Sequence, residues 1–469
     1  MPATATPCSA GRPEMSGSTR TPATVVAWRP ATLAALAYGA GAGFLAAGFL
    51  GDLAAKGRAA EPEYRTLMQA HGRAQAFGFG GLLALGIALH FLPKLRHAPL
   101  AWPSLANASI GLVATGVGLR LGPALALLAD DPAVTATAAI AAPAGAILTL
   151  AGTGAAAAVL ARTHLAGPTP ADDAAITPVI PLVGAAWASL LAAQLLDVVG
   201  TIGAWLAHPG GMVAPALDDA VMWLAIPGWF TPLAMAFASR TFPLYLRTRL
   251  APAMALRGWL AVFVVGMIVD LAGRSAMDSP TVLAVGQVCE GVAFLGWLHA
   301  LGVWRQRPPL PGKIADPFVR RAEAITGMAS EVAIMVACAW LAVAGAMLAI
   351  GGSATLAGVG AAPSTDAVRH AIGAGVMVPL IVGMAIRLLP GFAGDRPDMI
   401  GRTSAWVASL AAVAASMLRA GPATVTWLDA SGVPIGLPAT GTTWLFPAAL
   451  VGAGAVGALW WSLRRSLGW

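Results

Sequence analysis

Apolar residues run in long blocks along this chain, and polar residues collect in short intervals between them. A membrane-crossing helix needs about 20 mostly apolar residues, because each adds about 1.5 Å across a hydrocarbon layer about 30 Å thick. Blocks of that length predict twelve spans, at 31–55, 67–93, 105–128, 132–162, 177–207, 213–245, 252–273, 280–304, 322–350, 367–390, 400–420 and 443–463. The expected fold class is all-α, a polytopic membrane helix bundle. Residues 1–30 hold Pro, Ala, Ser and Thr with Arg12, Arg20 and Arg29 but no apolar block. They read as a disordered cytoplasmic tail, and 31–469 as the transmembrane domain.

Three spans end on one pattern: GIALHFLP (Gly86 to Pro93), AFASRTFP (Ala236 to Pro243) and GMAIRLLP (Gly383 to Pro390). In each, a small residue is followed two places on by alanine, and His90, Arg240 or Arg387 stands three places before the proline. The prolines are 150 and 147 residues apart, and each interval contains four spans. Proline terminates helices and arginine reaches toward headgroups, which accounts for each ending singly but not for a common register. The spacing predicts three pseudo-repeated four-helix units, approximately 31–165, 175–305 and 320–465.

Composition agrees with a bilayer location. Of 469 residues, 58% are hydrophobic and 10% charged, with a mean hydropathy of +0.74. The 55 glycines suit helices that approach closely in lipid. Cys8, Cys289 and Cys338 share no C-x-x-C spacing, so the sequence shows no disulfide framework and no zinc or iron-sulfur site. The net charge of +7 follows the positive-inside rule and gives no sign of a nucleic-acid partner. Lys94, Arg96, Arg247, Arg249, Arg305, Arg307, Lys313, Arg320, Arg321, Arg396, Arg464 and Arg465 fall on one side, with Lys56, Arg58 and Arg65 the main exception. That bias predicts a multi-pass protein of a bacterial-type inner membrane with both termini in the cytoplasm. His71 then lies near the outer face and His90 near the inner one.

Ionisable groups inside a membrane are costly, so those that occur are candidates for function. Of seven histidines, His97, His164 and His208 fall in loops or at span ends; His71, His90, His299 and His370 are left. His71 and His90 are separated by nineteen helical steps, about 28 Å, and cannot share a metal. His71 and His370 begin spans of the same direction at similar depth and could share a site. Gln75 and Gly78 follow His71 on its face, and Gly373 and Ala374 follow His370. Such residues leave room for a porphyrin face, or serve only tight packing. Asp197, Glu290 and Glu331 are expected to neutralise Arg120, Arg240 or Arg387, or to form part of a proton path. No phosphate loop, H-x-x-x-H spacing or nucleophile elbow occurs, so hydrolysis and ATP use have no support.

HGRAQAFGF, from His71 to Phe79, resembles the second-helix signature of the NnrS family, twelve-helix haem- and copper-associated membrane proteins linked to denitrification and nitric oxide stress. That signature reads H-A-H followed after three residues by F-G-F. SRTFP, from Ser239 to Pro243, is similar to the family's G-R-x-I-P, with Ser239 replacing the glycine. His370, with Gly375 five residues on and Arg387 seventeen on, resembles a late helix of the same family. The frame H-G-x-x-Q-x-F-G-x-x-G-L, ending in HFLP at Pro93, is also similar to distant catalytic subunits of haem-copper oxidases and nitric oxide reductases. Those have twelve core helices in three arcs of four, with one histidine of helix 2 and one of helix 10 on the low-spin haem.

The resemblance implies an NnrS-like haem protein with His71 and His370 on the iron; His90 and His299 are the alternatives left among the span histidines, and Arg73 and Gln75 are expected beside the cofactor. It also implies a link to nitric oxide metabolism, with nitric oxide as a ligand and a redox partner. Arg73 is expected to meet a haem propionate or a loop carboxylate near the surface. Arg240, Arg387, Glu290 and Glu331 are expected to be structural charges. There are departures: Arg73 replaces the signature's second histidine, GFAGD (Gly391 to Asp395) replaces its G-H-T-G-R, and spans 213–245 and 252–273 contain no histidine for copper. Copper and an oxygen-reducing centre are therefore not expected. The alternatives are a haem-free transporter or channel for a small molecule, and a degenerate oxidase-like scaffold; whether the protein is an enzyme is left open.

Overall fold

The computed structural model describes residues 27–469 apart from 130–131, 168–177, 209–210, 276–278, 306–316, 360–362, 395–399 and 433–442. The expected tail lies almost wholly outside the described residues. Among those described there are no strands, and twelve helices are long and apolar enough to cross a membrane. They are α1 (Trp28–Ala55), α2 (Pro62–Leu95), α3 (Pro103–Ala126), α4 (Thr137–Ala166), α5 (Ile180–Ala207), α6 (Pro215–Tyr245), α7 (Ala253–Arg274), α8 (Pro280–Leu301), α9 (Thr326–Leu356), α10 (Thr365–Ala393), α11 (Arg402–Ala430) and α12 (Leu445–Leu467). Several open on proline in their first turn, at Pro62, Pro103, Pro215 and Pro280, where its missing N–H costs no hydrogen bond.

The helices pack with a period of four. α2 lies inside a turn of the chain closed by contact between α1 and α3; α6 lies likewise inside α5 and α7, and α10 inside α9 and α11. α12 returns against α1, so nine helices make an outer wall. Within it α6 touches both α2 and α10. The apolar stretches of α6 and α10 are 89% and 78% buried, the two highest values among the twelve.

The three inner helices share an irregularity at the same place. Each widens into a π-helical stretch, Ala74–Gly81 in α2, Leu224–Phe230 in α6 and Ala371–Met377 in α10. Pro93, Pro243 and Pro390 each stand nineteen residues after the first residue of that stretch. Gly78, Gly228 and Gly375 each stand fifteen residues before the proline, against the preceding helix. A Cβ at Gly78 and Gly375 would come 2.9 Å from the Tyr38 side chain and 2.6 Å from the Trp340 side chain, too close without a shift, and one at Gly228 would stand a tight 3.3 Å from the Ser189 side chain. The recurrence expected from the three endings thus extends back through each helix. The prolines themselves lie inside helices that continue to Leu95, Tyr245 and Ala393. α1 has a π-helical stretch too, Gly39–Leu45, which lies against that of α2.

Candidate functional site

The residue immediately before each inner π-helical stretch is Arg73 in α2, Trp223 in α6 and His370 in α10. Each holds a polar partner. A π-helical turn carries an extra residue and commonly marks a functional position in a helix.

His370 and His71 lie in one neighbourhood, within electrostatic range of each other and of Asp366 and Arg419. His71 Nδ1 is 2.8 Å from the carbonyl oxygen of Gly43, in the π-helical stretch of α1. A carbonyl only accepts, so Nδ1 carries the hydrogen and Nε2 keeps its lone pair. His370 Nδ1 stands 2.8 Å from the Asp366 carbonyl and 3.1 Å from Asp366 Oδ1. Arg419 Nη2 is 3.0 Å from the same nitrogen and 3.1 Å from Asp366 Oδ2. Two acceptors on Asp366 favour the same tautomer, with the arginine proton directed to the carboxylate. Both imidazoles are only partly covered.

The expected recess is present in part. A Cβ added to Gly373 would meet nothing within 4 Å, and Ala374 beside it is partly exposed. Gln75 packs on Gly43, and its buried Oε1 has no hydrogen-bond partner. Gly78 is not part of a recess: Tyr38 fills that space, its hydroxyl donating to the Ala114 carbonyl at 2.6 Å.

Arg73 is engaged elsewhere. Its Nε and Nη2 donate to Asp197 Oδ1 at 2.8 and 2.5 Å, and its Nη1 donates to Asp218 Oδ1 at 2.7 Å and to the Gln69 carbonyl at 3.2 Å. Arg120 Nη2 meets the same Asp197 oxygen at 2.9 Å. Four of the five guanidinium N–H groups are thereby committed. Arg73 is 1% exposed, so in place of the expected surface position it is buried against carboxylates of α5 and α6. Asp197 does pair with Arg120, as expected, but Arg73 joins them.

The third position, Trp223, donates from Nε1 to Glu290 Oε1 at 3.3 Å, and the Arg274 guanidinium lies over its ring, 3.9 Å from the centroid. Arg274 also pairs with Asp270 and, at 2.8 Å, with Asp219. Arg369 meets Asp219 at 3.2 Å. Between these groups and the Arg73 cluster opens a cavity of about 310 Å³, bordered by Arg65, Gln69, Asp218, Asp219 and Arg369.

The other candidates lie apart. Lys94 Nζ is 2.8 Å from His90 Nε2, and His90 packs against Trp28 and Phe392 at the proline end of α2. His299 is exposed in the last turn of α8. Glu331 pairs with Arg247 at 3.5 Å. Arg387 lies over the Tyr245 ring at 5.3 Å, and Arg240 is partly exposed one turn before the end of α6. Among the described residues no three His, Cys, Asp or Glu side chains converge in a way that could hold a metal ion. Asp218, Asp219, Asp270, Arg274, Arg369 and Arg419 were not singled out by the sequence. The Asp270/Arg274 spacing of four, a helical neighbour pair, was a readable signal.

Twelve apolar helices among the described residues, nine of them closed around the other three, define a multi-pass integral membrane protein. No protein-family model matches the chain, and no curated protein matches it.

Proposed function

We propose that this protein binds haem in the membrane, with His71 and His370 as axial ligands. The observation that carries the reading is the pair itself: two imidazoles from different inner helices, each with Nδ1 2.8 Å from a main-chain carbonyl, a contact that in the neutral ring favours the lone pair on Nε2. Metal-bound histidines are commonly held this way, with the second nitrogen anchored so that ring orientation and tautomer are fixed. Open space beside Gly373, one turn from His370, and the unpartnered Oε1 of Gln75, one turn from His71, add to this reading. Haem held by both imidazoles would supply one-electron transfer. The NnrS-like motifs add the link to nitric oxide or nitrosative stress, a redox partner, and a bacterial-type inner membrane with cytoplasmic termini.

The test is the optical spectrum of the purified protein. A Soret band is expected, abolished in His71→Ala and abolished or converted to a five-coordinate form in His370→Ala. Wild-type spectra in both variants, or no band after haem reconstitution, overturn the proposal. A second reading, a transporter or channel for a small polar molecule, is favoured by the cavity of about 310 Å³ with its mixed charges. Uptake of a charged solute into vesicles, without any haem signal, would select it.

A further inference from the structure

Glu290 sits in the middle of α8 with no accessible surface. A close crossing puts it there. A Cβ on Gly266 of α7 would fall 2.9 Å from the Glu290 nitrogen, and one on Gly286 of α8 would fall 2.6 Å from the Asp270 Cα. The two backbones therefore touch, and each acidic residue stands opposite a glycine of the other helix.

Glu290 meets Trp223 of α6 directly and faces Asp270 of α7 across the glycine crossing. Asp270 holds Arg274, which reaches Asp219 of α6 and Thr365 of α10, and Asp219 also holds Arg369 of α10. On the α9 side, Gly291 packs on Gly345 and Ala349, which carry no charge. This gives three carboxyls and two guanidiniums. Both guanidiniums are committed to Asp270 and Asp219, and Arg274 is held on the Trp223 face. Glu290 receives one indole N–H at Oε1, while its Oε2 is buried without a partner. By contrast, Arg73 and Arg120 balance Asp197 and Asp218 charge for charge. An ionised Glu290 would be a buried charge held by one neutral donor. That costs more than leaving the hydroxyl of the neutral acid unpaired.

We propose that Glu290 is a proton-binding site within the membrane domain, protonated at neutral pH and in exchange with the 310 Å³ cavity by way of Asp270 and Asp219. Asp219 borders that cavity and shares Arg274 with Asp270, which makes a line of carboxylates from it toward Glu290. Uptake is the addition of a proton from a hydronium ion in the cavity to the Glu290 carboxylate, giving the acid and water; no electron moves. The inference uses neither histidine and stands apart from the haem reading.

Infrared spectroscopy of the full-length protein in lipid nanodiscs tests it. At neutral pH the wild type should show the carbonyl stretch of a protonated carboxylic acid, shifted to lower frequency in D₂O, and Glu290→Gln should lose that band. Asp270→Asn leaves two carboxyls for two guanidiniums, so Glu290 can ionise and the band should weaken at the same pH. Absence of an acid band in the wild type overturns the proposal without any variant. So does a band that persists in Glu290→Gln, one unchanged in Asp270→Asn, or one that does not shift in D₂O.

Discussion

Removing the Arg73 guanidinium should be among the most damaging single changes in the bundle. Its side chain is 2% accessible, and those of its partners Asp197 and Asp218 are 6% and 9%. Breaking a buried ion pair from one side costs about 3–5 kcal/mol, because the partner is left as an uncompensated charge. Asp197 keeps Arg120 at 2.9 Å, and Asp218 borders the cavity, where water reaches it. Arg73→Gln should therefore fall at the lower end, about 3 kcal/mol. Arg73→Lys retains the charge, but one ammonium cannot reproduce a fork spanning two carboxylates; losing one charge-assisted bond costs about 1.5–3 kcal/mol. Asp218→Asn in the Arg73→Gln background removes the stranded charge and should restore at least about 1 kcal/mol, a coupling in the range of contacting groups. Unfolding by SDS in mixed micelles, followed by helical circular dichroism, measures the wild type, these three variants and Asp218→Asn alone. A cost below about 0.5 kcal/mol for Arg73→Gln, or simple additivity of the two substitutions, would refute this role of the guanidinium.

Gly116 and Gly145 mark the α3 and α4 crossing: a Cβ on Gly116 would lie 2.6 Å from the Gly145 carbonyl oxygen. Gly116→Ala should cost about 1–3 kcal/mol in the same assay, while Gly111→Ala, with nothing within 4 Å, should be neutral or slightly stabilising. The Arg247 and Glu331 pair, 28% and 29% accessible and 3.5 Å apart, is of another kind; Glu331→Gln should change stability by less than about 1 kcal/mol. A reporter active only outside the membrane should be silent when fused at residue 469 and active when fused at Asp130. The reverse result would invert the orientation.

The spans were legible because length and apolarity suffice to define them, and the three proline endings signalled the inner helices because position in the bundle had shaped their small residues. The first turns of α2 were missed: Glu61, Glu63 and Arg65 lower the local hydropathy, although Pro62 at the start was a usable signal. The charge network was not legible. Arg73 meets Asp197 and Asp218 across 124 and 145 residues of sequence, and no local spacing encodes which of several carboxylates lies opposite. Arg73 was placed near the surface on depth alone, but the loop-facing end of α2 is covered by α6 and by the approach to it, where Gln69 donates to the Val213 carbonyl. The shared neighbourhood of His71 and His370 was accessible to sequence reasoning because both stand within the first three turns of helices of the same direction. Their hydrogen bonds were not, since Gly43 and Arg419 come from other helices.

The wide turns in α2, α6 and α10 divide each rod into two lengths with independent angular phase. In an unbroken α-helix every residue adds about 100° of rotation, so the facing of the last turn follows from that of the first. An extra residue in one turn resets this count, and the segment bearing Arg73, Trp223 or His370 can be aimed without turning the segment that ends at the proline. The proline segments keep one common facing toward the preceding helix, with Gly86 on Ala31 and Gly383 on Ile334. The opposite segments carry three different chemistries at one address. Such a joint lets a threefold scaffold diverge at one end while its packing at the other end stays uniform.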